Sequence, residues 1–370
     1  MLNQNPAEPN QQSPDQPVPD QPEQDRSQLS LSKIKKIKKI YWQILFLLLL
    51  SLPLSGFLVV NYFTEKVIFF KYGPQRWAMQ RPGLCSPTRL KYVFADMQPG
   101  HDPQKPLEIS CSQARSWPGK SEFINTTDGM KIHLRTFDGN RQHPLMLYVP
   151  GITSSWLDGA KYAPLAKRLG FQLVTFELRN HGISGNNAQG AAYGCKEKED
   201  VLAVLQTLQQ RYPGRPIYVW STSMGAMSFL NAAESVSKDF PEIKAVVLEN
   251  LPTSLRDVIE ESFSPGKPKL LYEAVISWAS IRTGVDYRSC SPVAKGASLI
   301  KPAFVAVSEH DTLTPPSMVK RFYDSLPRDR GHQFKWYPHG AHAAIWNGQP
   351  QEFEADLLSF WKQHAGSTGL

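Results

Sequence analysis

Residues 218–226 read YVWSTSMGA, and the fold turns on how this stretch is parsed. Tyr218, Val219 and Trp220 favour a strand, whereas GAMSFLNAAESV, from Gly225 on, favours a helix. A strand that passes into a helix so abruptly must turn sharply. The residue at the apex is held in a strained backbone conformation, and the residues two before and two after it must be small. Ser223 stands at that apex, with Ser221 and Gly225 in the two small positions. A helix start also favours negative charge, which suits a reacting serine oxygen. Ser223 is therefore the candidate nucleophile, and Ser221 is the second serine on offer.

The flanking chain supplies the rhythm that such a turn needs. From residue 121, β-rich runs at 121–126, 130–137, 144–149, 172–178, 216–221, 245–250, 303–308 and 333–338 alternate with helical patterns. The helical patterns lie at about 156–169, 195–212, 224–237, 315–326 and 350–364. In the second of these, Val201, Val204, Leu205 and Leu208 fall on one face. Asp128-Gly129 joins the first two runs as a hairpin, and the alternation after it predicts a mostly parallel sheet covered on both faces. Residues 251–288 are long and mostly helical, which predicts a small cap inserted between the sixth and seventh strands.

A serine hydroxyl is a poor nucleophile near neutral pH. It needs a positioned base, and the base needs a carboxylate to fix its tautomer. Downstream, FVAVSEHDTLTP (304–315) offers Asp311 just past the seventh run, with Glu309 as its competitor. WYPHGAHAAIW (336–346) offers His342 after the eighth, with His339 as its competitor. The chain order is then serine, acid, histidine.

With these parts in place, residues 121–364 resemble the α/β-hydrolase superfamily, in particular its monoglyceride-lipase-like and serine-aminopeptidase-like serine hydrolases. Four motifs carry the resemblance. VPGITSS (149–155) is similar to the loop after the third strand, and ELRNHGISG (177–185) to the turn that the family writes D-x-R-G-x-G-x-S. STSMGA (221–226) is similar to the elbow, and SEHDTLTP (308–315) with HGAHAAIW (339–346) to the acid and base loops. The chain departs from the pattern where Pro150 replaces a His, Asn180 a Gly and Ser221 the first elbow Gly. The resemblance implies an eight-stranded α/β-hydrolase fold with Ser223 as nucleophile, His342 as base and Asp311 as its partner. It also implies an oxyanion hole made by the backbone N–H groups of Met224 and Ile152, each such donor being worth about 3 kcal/mol. No metal or organic cofactor is implied. His181 and His310 read as structural, and Trp156 and Trp220 as core or pocket wall.

Upstream of the domain the composition changes. Six of the 30 prolines lie in the first 22 residues, within a Pro- and Gln-rich stretch expected to be disordered. Lys33, Lys35, Lys36, Lys38 and Lys39 follow, so residues 1–39 read as a tail ending in a lysine cluster. The 24 residues from Ile40 to Phe63 carry no charge and span about 36 Å as a helix, enough for a bilayer core of ~30 Å. Residues 40–63 are therefore expected to be an uncleaved transmembrane signal anchor; a cleaved signal peptide is the rival reading. The lysines predict a cytoplasmic N-terminus and a hydrolase domain on the extracytoplasmic side, periplasmic or luminal. Cys85, Cys111, Cys195 and Cys290 would pair there or remain as buried thiols.

Charge distribution argues against a nucleic-acid partner. The net charge is +8, of which residues 65–120 contribute +5 and the 250 residues from 121 only +2. Residues 64–120 thus read as a basic membrane-proximal segment, followed by a hydrolase domain at 121–366. The expected activity is hydrolysis of an ester-type, lipid-like or other small acyl substrate. Two alternatives stand beside it. One is an aminopeptidase, for which Glu260, Glu261 and Glu273 are the cap's candidate amine ligands. The other is an inactive hydrolase fold that serves as a binding protein.

Overall fold

The computed structural model describes residues 24–69, 111–140, 142–263, 266 and 268–365. All eight expected strands form one sheet: β1 (Gly119–Asn125), β2 (Lys131–Phe137), β3 (Leu145–Val149), β4 (Gln172–Phe176), β5 (Ile217–Thr222), β6 (Ile243–Glu249), β7 (Ala303–Ser308) and β8 (Gln333–Tyr337). Their order is β1-β2-β4-β3-β5-β6-β7-β8. β2 pairs antiparallel with β1 and β4, and every pair from β4–β3 to β7–β8 is parallel. Gly129 takes a φ of +84° in the hairpin between β1 and β2, a conformation that Asp-Gly turns accommodate.

β3, β4, β5 and β7 are buried along their whole length, as parallel strands covered on both faces should be. Alternate residues feed two cores. Leu145, Leu147 and Val149 join one, and Met146 and Tyr148 the other. The expected helices flank the sheet, with two divided: 156–169 becomes Trp156–Ala160 and Ala163–Arg168, and 224–237 becomes Met224–Asn231 and Ala233–Asp239. Between β6 and β7 the chain runs through Leu255–Val258, a π-helical turn at Ile259–Phe263, and Lys269–Thr283. The insertion expected at 251–288 is thus helical.

The N-terminal segment differs from expectation at both of its ends. A helix runs from Gln24 to Ile68, so the expected disordered tail at 1–39 is helical from Gln24 on. The prolines stop at Pro22, and the helix-forming Lys and Ile residues that follow contain nothing to break a turn. Residues 1–23 lie outside the described set. The helix is long and apolar enough over Leu31–Ile68 to cross a membrane.

The chain divides into two compact units, 1–58 and 59–370. The larger unit therefore begins well before residue 121, and the helix end at 59–68 belongs to it. Val67, Ile68 and Phe69 are buried in its core, and the Thr64 side chain is buried as well. The Tyr193 hydroxyl donates to the Val67 carbonyl at 2.8 Å, and Ala191 N to Ile68 O at 2.7 Å. Helix Lys269–Thr283 holds the same segment: Trp278 Nε1 donates to Asn61 Oδ1 at 2.9 Å, and Arg282 pairs with Glu65. Of the expected basic segment 64–120, residues 70–110 lie outside the described set.

Candidate active site

Each site residue lies just past the C-terminal end of a strand. Ser223 follows β5 directly and precedes helix Met224–Asn231, with φ 50° and ψ −123°. Such a conformation costs a non-glycine residue about 1–3 kcal/mol, and tight packing holds it. Gly225 touches the end of β3 so closely that an added Cβ would lie 2.4 Å from Val149 O. Ser221 is fully buried, and its hydroxyl donates to Val247 O at 2.7 Å. It fills the position of the family's glycine by anchoring β5 to β6, and its oxygen faces a neighbouring strand.

His342 bridges the other two residues. Its Nε2 lies 2.7 Å from Ser223 Oγ and its Nδ1 2.8 Å from Asp311 Oδ2. Asp311 is 3% exposed, whereas Glu309 beside it is exposed. The Asp311 carboxylate accepts bonds from Leu313 N and Thr314 N, both at 2.8 Å, and from the Thr314 hydroxyl and Asn250 Nδ2. Burial alone would raise its pKa; the His342 charge and the bonds from His342 and Thr314 outweigh that and hold it below the ordinary carboxylate value.

The two backbone N–H groups expected from the motifs as oxyanion donors, those of Met224 and Ile152, lie on the residues that follow Ser223 and Gly151. Among the described residues, neither Met224 N–H nor Ile152 N–H donates to a protein acceptor. Gly151 brings the loop after β3 against Ser223: a Cβ there would lie 3.2 Å from Ser223 Cβ. Thr153, Ser223, Asn250 and Ala343 all have positive φ, at 63°, 50°, 49° and 55°. Backbone strain of this kind gathers where a site is held in a defined geometry.

The sequence motifs left out the end of β6. Glu249 is fully buried; its carboxylate accepts from Trp220 Nε1 at 2.9 Å and Ile345 N at 3.1 Å. Burial pushes this carboxyl above its ordinary range, against the pull of Lys161 and of these two bonds. The Glu249 carbonyl accepts from Ser223 N at 2.9 Å. Asn250 joins Asp311 to the loop carrying His342, as Ala343 N donates to its Oδ1 at 3.2 Å. These contacts connect residues 26 to 96 positions apart, so no local pattern announces them.

The remaining motif residues serve the framework. Arg179 is buried and bridges Asp128 and Asp200. Asn180 replaces a glycine at φ 63°, which Asn tolerates better than most side chains. His181 is buried, with Nδ1 2.8 Å from Arg179 O. Trp220 is a core residue stacked on Tyr162, and Trp156 is half-buried against the Arg135 guanidinium.

Comparison with known proteins agrees with this architecture. The model of the family described as "alpha/beta hydrolase fold" matches residues 144–289. Mouse "Phospholipase ABHD3" is 30% identical over 137 residues, which is 34% of this chain and 33% of that protein. Zebrafish "Lysophosphatidylserine lipase ABHD12" is 25% identical over 213 residues, 53% of this chain and 51% of that protein. The chain thus spans a third to a half of the length of these two curated relatives. The Pyrococcus furiosus esterase Pf2001 superposes with a TM-score of 0.54 at 22% identity, covering 72% of this chain and all of the esterase. The chain has the α/β-hydrolase fold, with its eight-stranded, mostly parallel sheet.

Proposed function

For this α/β-hydrolase-fold chain, we propose a membrane-anchored serine hydrolase that cleaves an ester-type acyl substrate of lipid-like kind. The observation that carries the reading is the continuous relay from Ser223 Oγ through His342 to Asp311, at 2.7 and 2.8 Å, beside two uncommitted backbone N–H groups. His342 Nε2 takes the hydroxyl proton as Ser223 Oγ bonds to the ester carbonyl carbon. The carbonyl oxygen becomes an oxyanion, met by Met224 N–H and Ile152 N–H. The tetrahedral adduct collapses, the C–O bond to the leaving alcohol breaks, and His342 returns the proton to that alcohol. Water, deprotonated by the same Nε2, then attacks the acyl-enzyme; as the second adduct collapses, the bond to Ser223 Oγ breaks, His342 gives that proton to Oγ, and the acid leaves. Asp311, held ionised, keeps the ring in one tautomer throughout.

Lipid-like substrates are inferred from the curated relatives' names, phospholipase and lysophosphatidylserine lipase, and from the apolar helix that precedes the unit. The five lysines between 33 and 39 favour a cytoplasmic N-terminus. The Cys195–Cys290 disulfide suits a hydrolase unit in an oxidising compartment. The aminopeptidase alternative loses ground because Glu273 is paired with both Arg256 and Arg288, which leaves little charge for a substrate amine.

The test is turnover by the full chain in detergent. p-Nitrophenyl esters of graded chain length and lysophospholipids should be hydrolysed, and Ser223→Ala should abolish the activity. Cleavage of aminoacyl-coumarins without ester turnover would establish the peptidase reading instead. Ester turnover that survives Ser223→Ala would refute the proposal.

A further inference from the structure

We propose that Asn250 is a positioning residue that fixes Asp311 and the His342 loop to one another, a role that rests on the triad reading above. Asn250 follows β6 directly, is fully buried, and has its main chain pinned on both sides. Its N–H donates to Ala306 O on β7 at 2.9 Å, and its carbonyl accepts from Thr314 Oγ1 at 3.2 Å. The side-chain amide therefore issues from a fixed point between the acid loop and the base loop. Nδ2 donates to Asp311 Oδ2, the same oxygen that faces His342 Nδ1, and Oδ1 accepts from Ala343 N, next to His342.

The chemistry of the two partners explains why this residue is an amide. Asp311 is held as a carboxylate, so it only accepts; the Ala343 N–H only donates. A single group able to donate in one direction and accept in the other satisfies both. A carboxylate at position 250 would satisfy Ala343 N–H but would set a second negative charge against Asp311. An apolar side chain would leave the Ala343 N–H without its partner beside the triad and take one of the donors from the Asp311 carboxylate. The backbone limits the choice further, because φ at Asn250 is 49°, a region reached readily by Gly, Asn and Asp.

That tolerance supplies two variants able to keep the fold. In Asn250→Asp the titratable groups around the new carboxyl are Asp311 after β7, His342 after β8, Glu249 beside it on β6, and Lys161, whose charge acts on Glu249. The added negative charge either shares a proton with Asp311 or stabilises protonated His342. Both routes demand a higher pH for the working state.

The experiment measures kcat and KM for a p-nitrophenyl ester from pH 5 to 9, using the full-length wild type, Asn250→Asp and Asn250→Gly in detergent. Circular dichroism checks the fold of each. Asn250→Asp should move the acid limb of kcat/KM up by about one pH unit or more. Asn250→Gly should lower kcat about 10- to 100-fold with KM little changed, the signature of misplaced catalytic groups. If Asn250→Gly proves unfolded, the acid limb of Asn250→Asp decides. Wild-type profiles in the folded variants would overturn the role of Asn250 alone. A wild type that turns over no ester would overturn the triad reading and this inference with it.

Discussion

Replacing Gly225 by alanine tests how the elbow is held. The added methyl would sit 2.4 Å from Val149 O, 2.5 Å from Pro150 O and 2.9 Å from Pro150 C. Carbon–oxygen contacts close at about 3.3 Å, so the overlap is about 0.8–0.9 Å, and all three obstacles are backbone. No rotamer change relieves it; either the oxyanion loop or the elbow must move. Gly225 has no positive φ, so the cost is steric alone. Overpacking of this kind costs about 3 kcal/mol, and a shift near 1 Å between Ile152 N–H and Ser223 Oγ should lower kcat about 100-fold. Gly151→Ala is the graded control: its Cβ would meet Ser223 Cβ at 3.2 Å and Thr222 O at 3.4 Å, for a cost of about 1 kcal/mol. Urea denaturation and ester turnover on the three proteins provide the readout. If Gly225→Ala stays within about 0.5 kcal/mol of wild type with unchanged kcat, the packing argument is refuted.

Three other expectations rest on separate features. Because the folded-state pKa of Asp311 is lowered from 3.8, its ionisation supports the fold above that value, and the support is lost as pH falls through the lower, native one. Wild type and Asp311→Asn should therefore converge in stability only as the pH of the melts falls progressively below 3.8, while kcat of the variant at neutral pH falls by up to about 10⁴-fold. Reducing the Cys195–Cys290 bridge, which joins residues 95 apart, should lower unfolding stability by about 2–4 kcal/mol; identical denaturation curves with and without reductant would contradict this. A chain starting at Val59 should fold like the full-length protein. One starting at residue 70 should not, since Val67, Ile68 and Phe69 each stabilise by about 1.5–3 kcal/mol through burial; equal thermal stability of the two would contradict the extended boundary.

Much of this architecture is legible because it is written locally. Each strand shows as a short β-rich run, and the boundaries fall within two residues of the runs. β1 begins at Gly119 rather than Ser121 because Gly119 and Lys120 pair with Phe137 and Thr136, a partner's property rather than their own. The helical pattern at 224–237 hides a break at Ala232, where the chain turns without a glycine or proline. The Pro-rich composition of the first 22 residues spreads too far into the expectation for 24–39. Residues 59–63 continue an apolar run, which looks the same to a bilayer and to a protein core, and Glu65 and Lys66 give 64–69 the look of a polar flank. Ser223, Asp311 and His342 were found through motifs at strand ends. Asn250 and Glu249 were not, because their contacts join strand ends far apart in sequence.

The claim that Ser223 is an activated nucleophile is tested most directly by a fluorophosphonate probe followed by peptide mass spectrometry. One covalent adduct per chain is expected, on Ser223, absent from Ser223→Ala and greatly slowed in His342→Ala. Modification of Ser221 or another serine, or no adduct on folded wild-type protein, would contradict it.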